Sequence, residues 1–201
     1  MPLVTNNIAH IELLQQKIAL FSDQQSYNEL FVHFYPSLRQ FAMSFTKSRQ
    51  LSEEVVSDVF IKIWEKRETL HKIGNLKLYL FTSTRNTALN YLKKQKGIQH
   101  VPLEDYWVEL NSVYFDPEKL MITAEMMNRI HTAIQALPPK CKLIFKLVKE
   151  EGLKYKVIAT LLDLSLKTVE NQMTLALKKI SAEIGFHVKR SNSSAVSIDE
   201  K

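Results

Sequence analysis

Residues 51–64 read LSEEVVSDVFIKIW. Leu51, Val55, Val56, Val59, Phe60, Ile63 and Trp64 recur at i, i+4, i+5 and i+8, the spacing of one buried helix face and not the two-residue alternation of a strand. Ser48 or Ser52 can cap the start of this helix, and Glu53 and Glu54 sit near the positive end of its dipole. In that register Asp58 is exposed beside Ile61 and the rim of Trp64. One carboxylate flanked by apolar surface is a reasonable protein-docking face. For Phe60 and Trp64, packing in the core is the preferred reading.

Upstream, a second helix fits 27–45, with Leu30, Phe31, Phe34, Leu38, Phe41 and Phe45 on its apolar side. Pro36 falls in mid-pattern and predicts a kink or break there. An amphipathic stretch over 8–21 precedes it, and what that stretch packs against stays open. Downstream, Gly74-Asn75 reads as a loop tip, and a third helix runs over 76–94. The whole chain of 201 residues carries only four glycines and six prolines, which favours long helices over sheets and turns. With no alternating strand pattern and no internal repeat, the expected fold class is all-α.

Charge divides the chain more clearly than hydropathy does. Between positions 72 and 96 stand Lys72, Lys77, Arg85, Lys93, Lys94 and Lys96 with no acidic residue. Positions 99–120 reverse this, with Glu104, Asp105, Glu109, Asp116 and Glu118 against Lys119 alone, and with Pro102 and Pro117. This stretch is expected to be an acidic linker between two helical domains. Arg85, Asn86, Asn90, Lys93 and Lys94 can form one stripe of the basic helix. Cations beside amides suit a single strand held by its phosphates while unstacked bases are read one by one. A solvated charged face is the plainer alternative, but so many like charges repel one another without an anionic partner.

The segment 152–180 holds a second motif. A short helix over 155–162 turns Ile158, Ala159 and Leu162 inward. Asp163-Leu164-Ser165 makes a tight connection, and Ser165 can cap a helix over 166–179 with Val169, Met173, Ala176 and Ile180 on its inner face. Two short helices, a three-residue turn and a small alanine on each helix describe a helix-turn-helix. An ordinary helical hairpin with a solvated polar face fits the same pattern. Asp163 stands where a turn glycine is usual, and aspartate tolerates left-handed backbone better than most residues. As a reading helix in the major groove, the second helix would present Lys167, Thr168, Glu170, Asn171, Gln172 and Lys178. Asparagine and glutamine amides pair with adenine, and lysine reaches guanine or phosphate.

Catalysis finds no constellation in the sequence. His10, His33, His71, His100, His131 and His187 are scattered, and no pair has the i, i+4 spacing of metal ligands. The single cysteine, Cys141, lies in an apolar helical stretch and reads as a buried thiol of a reducing cytoplasm. No glycine-rich phosphate loop occurs, no stretch approaches eighteen apolar residues, and the N-terminus lacks a signal-peptide core. Neither an enzyme nor a membrane-inserted chain is expected, and no cofactor or metal. A formal charge of +6 suits an acidic partner such as nucleic acid.

Taken together, these segments resemble one family. Ser52 to Trp64 looks like the core-polymerase-binding helix of extracytoplasmic-function sigma factors, in sigma region two. Leu78 to Lys94 is similar to the following helix, which in that family melts and reads the minus-ten element. Leu137-Pro138-Pro139-Lys140-Cys141, Glu151-Gly152-Leu153-Lys154-Tyr155 and Lys167-Thr168-Val169-Glu170-Asn171-Gln172-Met173 look like sigma region four, which reads the minus-thirty-five element. The resemblance spans 27–96 and 121–184, and its strength lies in the order and spacing of the parts. The Thr-Val-Glu-Asn-Gln-Met run is nearest to the branch that works with membrane-spanning anti-sigma factors. The chain departs from the family pattern at Ser57, Ser83 and Val157, and at Gln172 and Leu175, where many relatives carry arginine or lysine, so its reading helix is less cationic than theirs.

The resemblance implies an N-terminal extension over 1–22, a region-two domain over 23–98, the linker over 99–120, a region-four domain over 121–185 and a disordered tail over 186–201. It implies a soluble cytoplasmic protein whose partners are core RNA polymerase, promoter DNA as duplex and melted strand, and an anti-sigma factor. Asp58, Ile61 and Trp64 would dock on polymerase. Lys72, Asn75, Arg85, Asn86, Asn90, Lys93 and Lys94 would hold the minus-ten strand, with the loop 71–75 as the natural pocket for a flipped base. Lys154, Tyr155, Lys167, Thr168, Glu170, Asn171, Gln172 and Lys178 would read the minus-thirty-five duplex, and the linker would thread the RNA-exit path. Two rivals stay open: a helix-turn-helix regulator acting without polymerase, and a sigma mimic that titrates an anti-sigma factor.

Overall fold

The computed structural model describes residues 3–96 and 124–183, all helices and short connections with no strand among them. The expected linker over 99–120 and tail over 186–201 lie outside the described residues. The first domain is built from α1 (Leu3–Phe21), α2 (Gln24–Thr46), α3 (Arg49–Glu65), a 3₁₀ turn (Arg67–Lys72) and α4 (Leu76–Lys96). The second comprises α5 (Ala124–Gln135), α6 (Pro139–Lys149), α7 (Tyr155–Leu162) and α8 (Leu166–Glu183).

The helices start and stop where side chains satisfy their orphan backbone groups. Asp23 caps α2 by accepting from the Ser26 N–H, and Ser48 caps α3 by accepting from Leu51. Of the two serines that could cap α3, Ser52 is instead buried, donating its hydroxyl to the Arg49 carbonyl at 2.7 Å. The expected break at Pro36 does not occur: α2 runs through it from Gln24 to Thr46. Pro36 and Val32 are both exposed. The bond the proline cannot make, to the Val32 carbonyl, therefore falls on the water-facing side, where solvent can replace it.

In the first domain Leu30, Phe34, Leu38, Phe41, Phe45, Val55, Val59, Phe60, Leu80 and Phe81 form the core. Of the 51–64 repeat, Leu51, Val55, Val56, Val59, Phe60 and Ile63 are buried, while Trp64 at its end is half-buried. The N-terminal stretch is part of this body: α1 packs on α2 and on the 3₁₀ turn, with Leu14 and Ile18 buried. Burying side chains of this size stabilises by roughly 1.5–3 kcal/mol each, which is what holds otherwise marginal single helices in place.

In the second domain α8 packs against α5, α6 and α7. Gly152, with φ +65°, makes the turn from α6 toward α7 that a Cβ would strain. The two domains touch. Lys77 at the start of α4 pairs with the Glu151 carboxylate at 2.8 Å, and Lys146 donates to the Gln40 side chain at 2.5 Å. A small recess lined by Ser37, Phe41, Phe81, Leu143 and Leu147 lies between them. Glu150, beside Lys146, is half-buried, and the loss of water pushes its carboxyl above the usual range, which Lys146 at 3.5 Å opposes only in part.

Candidate nucleic-acid and polymerase interface

The first site forms where α3 and α4 lie side by side. Asp58 is half-buried there and is not the free carboxylate its own helix predicts, because the Tyr91 hydroxyl of α4 donates to Asp58 Oδ2 at 2.9 Å. Periodicity within one helix cannot see a partner that arrives from another. The same bond, before burial, holds the Tyr91 phenol above its ordinary pKa, since a phenolate would face the carboxylate. Ile61 stays 54% exposed, an apolar side chain on the open side of α3. Trp64 stacks against Tyr27 at 4.8 Å and carries the Arg67 guanidinium over its ring at 4.9 Å, so only its rim is open. Phe60 is buried between Tyr27 and Phe31, and the Tyr27 hydroxyl donates to its carbonyl. The core reading of Phe60 therefore holds.

A groove beside this bond is lined by Asp58, Lys62, Thr87, Asn90, Tyr91, Lys93 and Lys94. The structure thus brings the expected polymerase-docking carboxylate together with three residues expected on the minus-ten strand, Asn90, Lys93 and Lys94. Three lysines around one engaged carboxylate leave the groove cationic, suited to a phosphate backbone with an amide beside it. Lys62, Thr87 and Tyr91 were missed by the sequence reading. Lys62 is one turn past Asp58, and that i, i+4 spacing was the available signal. Nothing in the sequence pairs Tyr91 with Asp58.

The other expected minus-ten residues divide. Asn86 is exposed on α4, and Lys72 is exposed at the end of the 3₁₀ turn. Asn75 uses its side-chain oxygen to cap α4, accepting from Leu78 N at 2.9 Å. Arg85 is half-buried, with its Nε enclosed and without a hydrogen-bond partner, so it leaves the exposed stripe in which it was expected. A helix stripe drawn at 100° per residue ignores the width of the neighbouring helices, and α2 and α3 both pack on α4.

The second site is the helix-turn-helix of α7 and α8. Asp163 takes the left-handed conformation at φ 57°, ψ 50°, the backbone for which the turn usually recruits glycine. Ser165 accepts from the Thr168 N–H at 3.0 Å and starts α8, which runs on to Glu183, four residues beyond the expected end. Ile158, Ala159 and Leu162 on α7 face Val169, Met173, Ala176 and Ile180 on α8, all buried. Behind α8 the buried Cys141 thiol donates to the Gln172 carbonyl at 3.2 Å, and burial pushes that thiol's pKa up.

On the outer side Lys154, Lys167, Asn171 and Lys178 are exposed, while Tyr155, Thr168, Glu170 and Gln172 are half-buried. Glu170 lies 3.8 Å from Lys167, a solvent-screened pair of little energy that still tempers the positive charge of this face. The helix offers amides and hydroxyls to base edges more than cations to phosphates. Among the described residues no helix is long and apolar enough to cross a membrane, and no group of three His, Cys, Asp or Glu could hold a metal.

Comparison with known proteins matches both regions of the chain. The family model for Sigma-70 region 2 matches residues 30–98, and that for Sigma-70 region 4 matches residues 127–180. The chain is 23% identical over 176 residues to the ECF RNA polymerase sigma-E factor of Escherichia coli K12, covering 84% of this chain and 91% of that protein. It is 24% identical over 168 residues to the ECF RNA polymerase sigma factor RpoE of Cereibacter sphaeroides, covering 83% of this chain and 91% of its relative. Among solved structures it is similar to the sigma factor RpoE of Bartonella quintana, determined with the anti-sigma factor NepR. There the identity is 19%, the coverage 83% of this chain and 99% of that one, and the TM-score 0.48. With the two regions present in this order on an all-helical scaffold, the chain belongs to the sigma-70 family, among its extracytoplasmic-function sigma factors.

Proposed function

We propose that this sigma factor reaches polymerase and promoter through two faces of unlike construction. The α3 side of the α3/α4 groove, with Asp58, Ile61 and the rim of Trp64, docks on core RNA polymerase. The α4 side, with Asn86, Asn90, Lys93 and Lys94, takes the melted minus-ten strand. The α8 face, from Lys167 to Lys178, reads the minus-thirty-five element as duplex. The observation that carries this reading is the groove itself, in which Asp58 lies beside Lys62, Asn90, Lys93 and Lys94 on one helix pair. A conventional helix-turn-helix regulator would need α7 and α8 and would have no use for that groove.

Strand opening then draws on binding energy, because capturing unstacked bases on α4 offsets the cost of separating them. On this reading the chain hydrolyses no nucleotide and works in the cytoplasm beside polymerase. An anti-sigma factor that covers these faces would be its second class of partner.

The test is transcription in vitro with purified protein and core polymerase on a library of promoter fragments, beside an Asp58→Ala variant. Transcripts that require the protein and weaken several-fold with the variant support the reading. Core binding without any transcript would favour a mimic that titrates an anti-sigma factor. Absence of core binding would sink the proposal.

A further inference from the structure

We propose that Gln15, on the helix that precedes both matched family regions, is a positioning residue for strand opening. It would act by holding the turn that delivers the melted strand to α4. The inference rests on the functional reading above and goes beyond it to a residue outside the matched family regions, which begin at residue 30.

Gln15 is 6% exposed, between the buried Leu14 and Ile18 of α1. Its amide nitrogen donates to the Leu70 carbonyl at 3.2 Å and to the Ile73 carbonyl at 3.1 Å. Both acceptors belong to the connection from α3 to α4, more than fifty residues away in sequence. The Leu70 carbonyl also takes the Ile73 N–H at 3.1 Å, so one amide closes a ring of bonds around the root of the turn. A buried amide is unfavourable unless paired, and a leucine or methionine would fill the same volume without that penalty. The residue type therefore makes physical sense through the two carbonyls it meets.

The other end of the connection is tied to the same neighbourhood. Arg67 Nε donates to the Ser22 hydroxyl, just past α1, at 2.8 Å, and Arg67 Nη1 donates to the Trp64 carbonyl at 3.0 Å. With Leu70 buried at 2% exposure, the turn has a fixed root. Its outer residues, His71, Lys72, Gly74 and Asn75, are exposed, and the space around Gly74 is open. A rigid root beneath an open tip is a preorganised receptor: the loop need not be ordered at the moment an unstacked base arrives. The turn also sets where Asn75 caps α4, and so where the strand-binding helix begins.

The experiment uses the full chain, core polymerase and a promoter recovered from the fragment library. It compares wild type with Gln15→Met, which keeps the volume and removes the donors, and with Ile18→Val, which loosens the same core and leaves the two Gln15 hydrogen bonds in place. Gln15→Asn, which keeps the amide but shortens its reach, serves as a second variant should Gln15→Met not fold. Core affinity is expected to stay within about twofold of wild type for all. Promoter opening, read as permanganate reactivity of the melted thymines, is expected to fall about tenfold with Gln15→Met and less with Gln15→Asn.

Fork-junction probes carrying single abasic sites give the readout that a merely structural role would not move. The abasic position that weakens wild type most should lose its effect in Gln15→Met, because the base is no longer gripped. Opening equal to wild type, or equal loss with Ile18→Val, overturns the inference and leaves the functional reading intact. A wild-type protein that opens no promoter overturns both.

Discussion

The α3/α4 groove and the α8 face are built in different ways. Around α3, groove included, polar side chains are engaged from other elements: Tyr91 of α4 donates to Asp58, Tyr27 of α2 to the Phe60 carbonyl, and Arg67 of the 3₁₀ turn lies over Trp64. On α8 the polar side chains bond within their own helix or its cap, as Ser165 does with Thr168, Glu170 with Lys167, and the Thr174 hydroxyl with the Glu170 carbonyl. Support for α8 comes from behind, through Met173, Ala176 and the Cys141 thiol. A surface assembled between helices couples stability to binding, whereas one displayed on a single helix keeps them apart. The difference teaches that a mutation in the groove should move both properties, and a mutation on α8 only the second.

The largest effect should come from Phe60→Ala. It opens a cavity beneath α3, where Phe60 packs on Tyr27 and Phe31, and should cost about 3–5 kcal/mol of stability in denaturant unfolding, with core binding lost alongside. If stability fell that far while core binding persisted, the coupling claimed for the groove would be wrong.

Next comes Asn171→Ala on the exposed face of α8. It should leave unfolding within about 0.5 kcal/mol of wild type. Discrimination at one position of the minus-thirty-five element should weaken by about 1–3 kcal/mol, measured by competition among single-base promoter variants. A comparable loss of stability would erase the contrast between the two surfaces.

The smallest effect, and the one that sharpens the comparison most, belongs to Tyr91→Phe. It removes one hydroxyl and should cost about 0.5–1.5 kcal/mol of stability. It also releases Asp58, so affinity for core polymerase, read by competition, should shift as well. The same bond gives a signature in alkali. Because the folded phenol titrates above its unfolded value, the stability it contributes is complete below the unfolded pKa of 10.0 and is lost as pH rises through the folded value. The wild-type advantage over Tyr91→Phe should therefore shrink in that window and be flat from neutral pH up to it.

How far the molecule could be read beforehand follows the same division. The helix-turn-helix was legible down to its cap and turn, since Ser165, Asp163 and the inner face of α8 obey rules that act within one or two helical turns. The 51–64 repeat likewise put its residues from Leu51 to Ile63 in the core and only Trp64 at the half-buried rim. Asp58 was misjudged as exposed and Arg85 as part of an open stripe, because both depend on what another helix brings within reach. Lys62 was overlooked although its spacing from Asp58 was visible. Gln15 carried no signal at all, being one polar residue in an amphipathic stretch.

By itself, then, the sequence determined the all-helical class, the order of the two regions, the buried faces and the helix-turn-helix of α7 and α8. Those follow from backbone hydrogen bonding and from the 3.6-residue period, which act over a few residues. Only the tertiary structure decided that Asp58 is held by Tyr91, that Lys62, Lys93 and Lys94 share its groove, and that α1 reaches through Gln15 to the turn before α4. The reason is geometric: hydrogen bonds need partners within about 3 Å. Which residues come that close across more than fifty positions is set by how helices pack, and no local period records it.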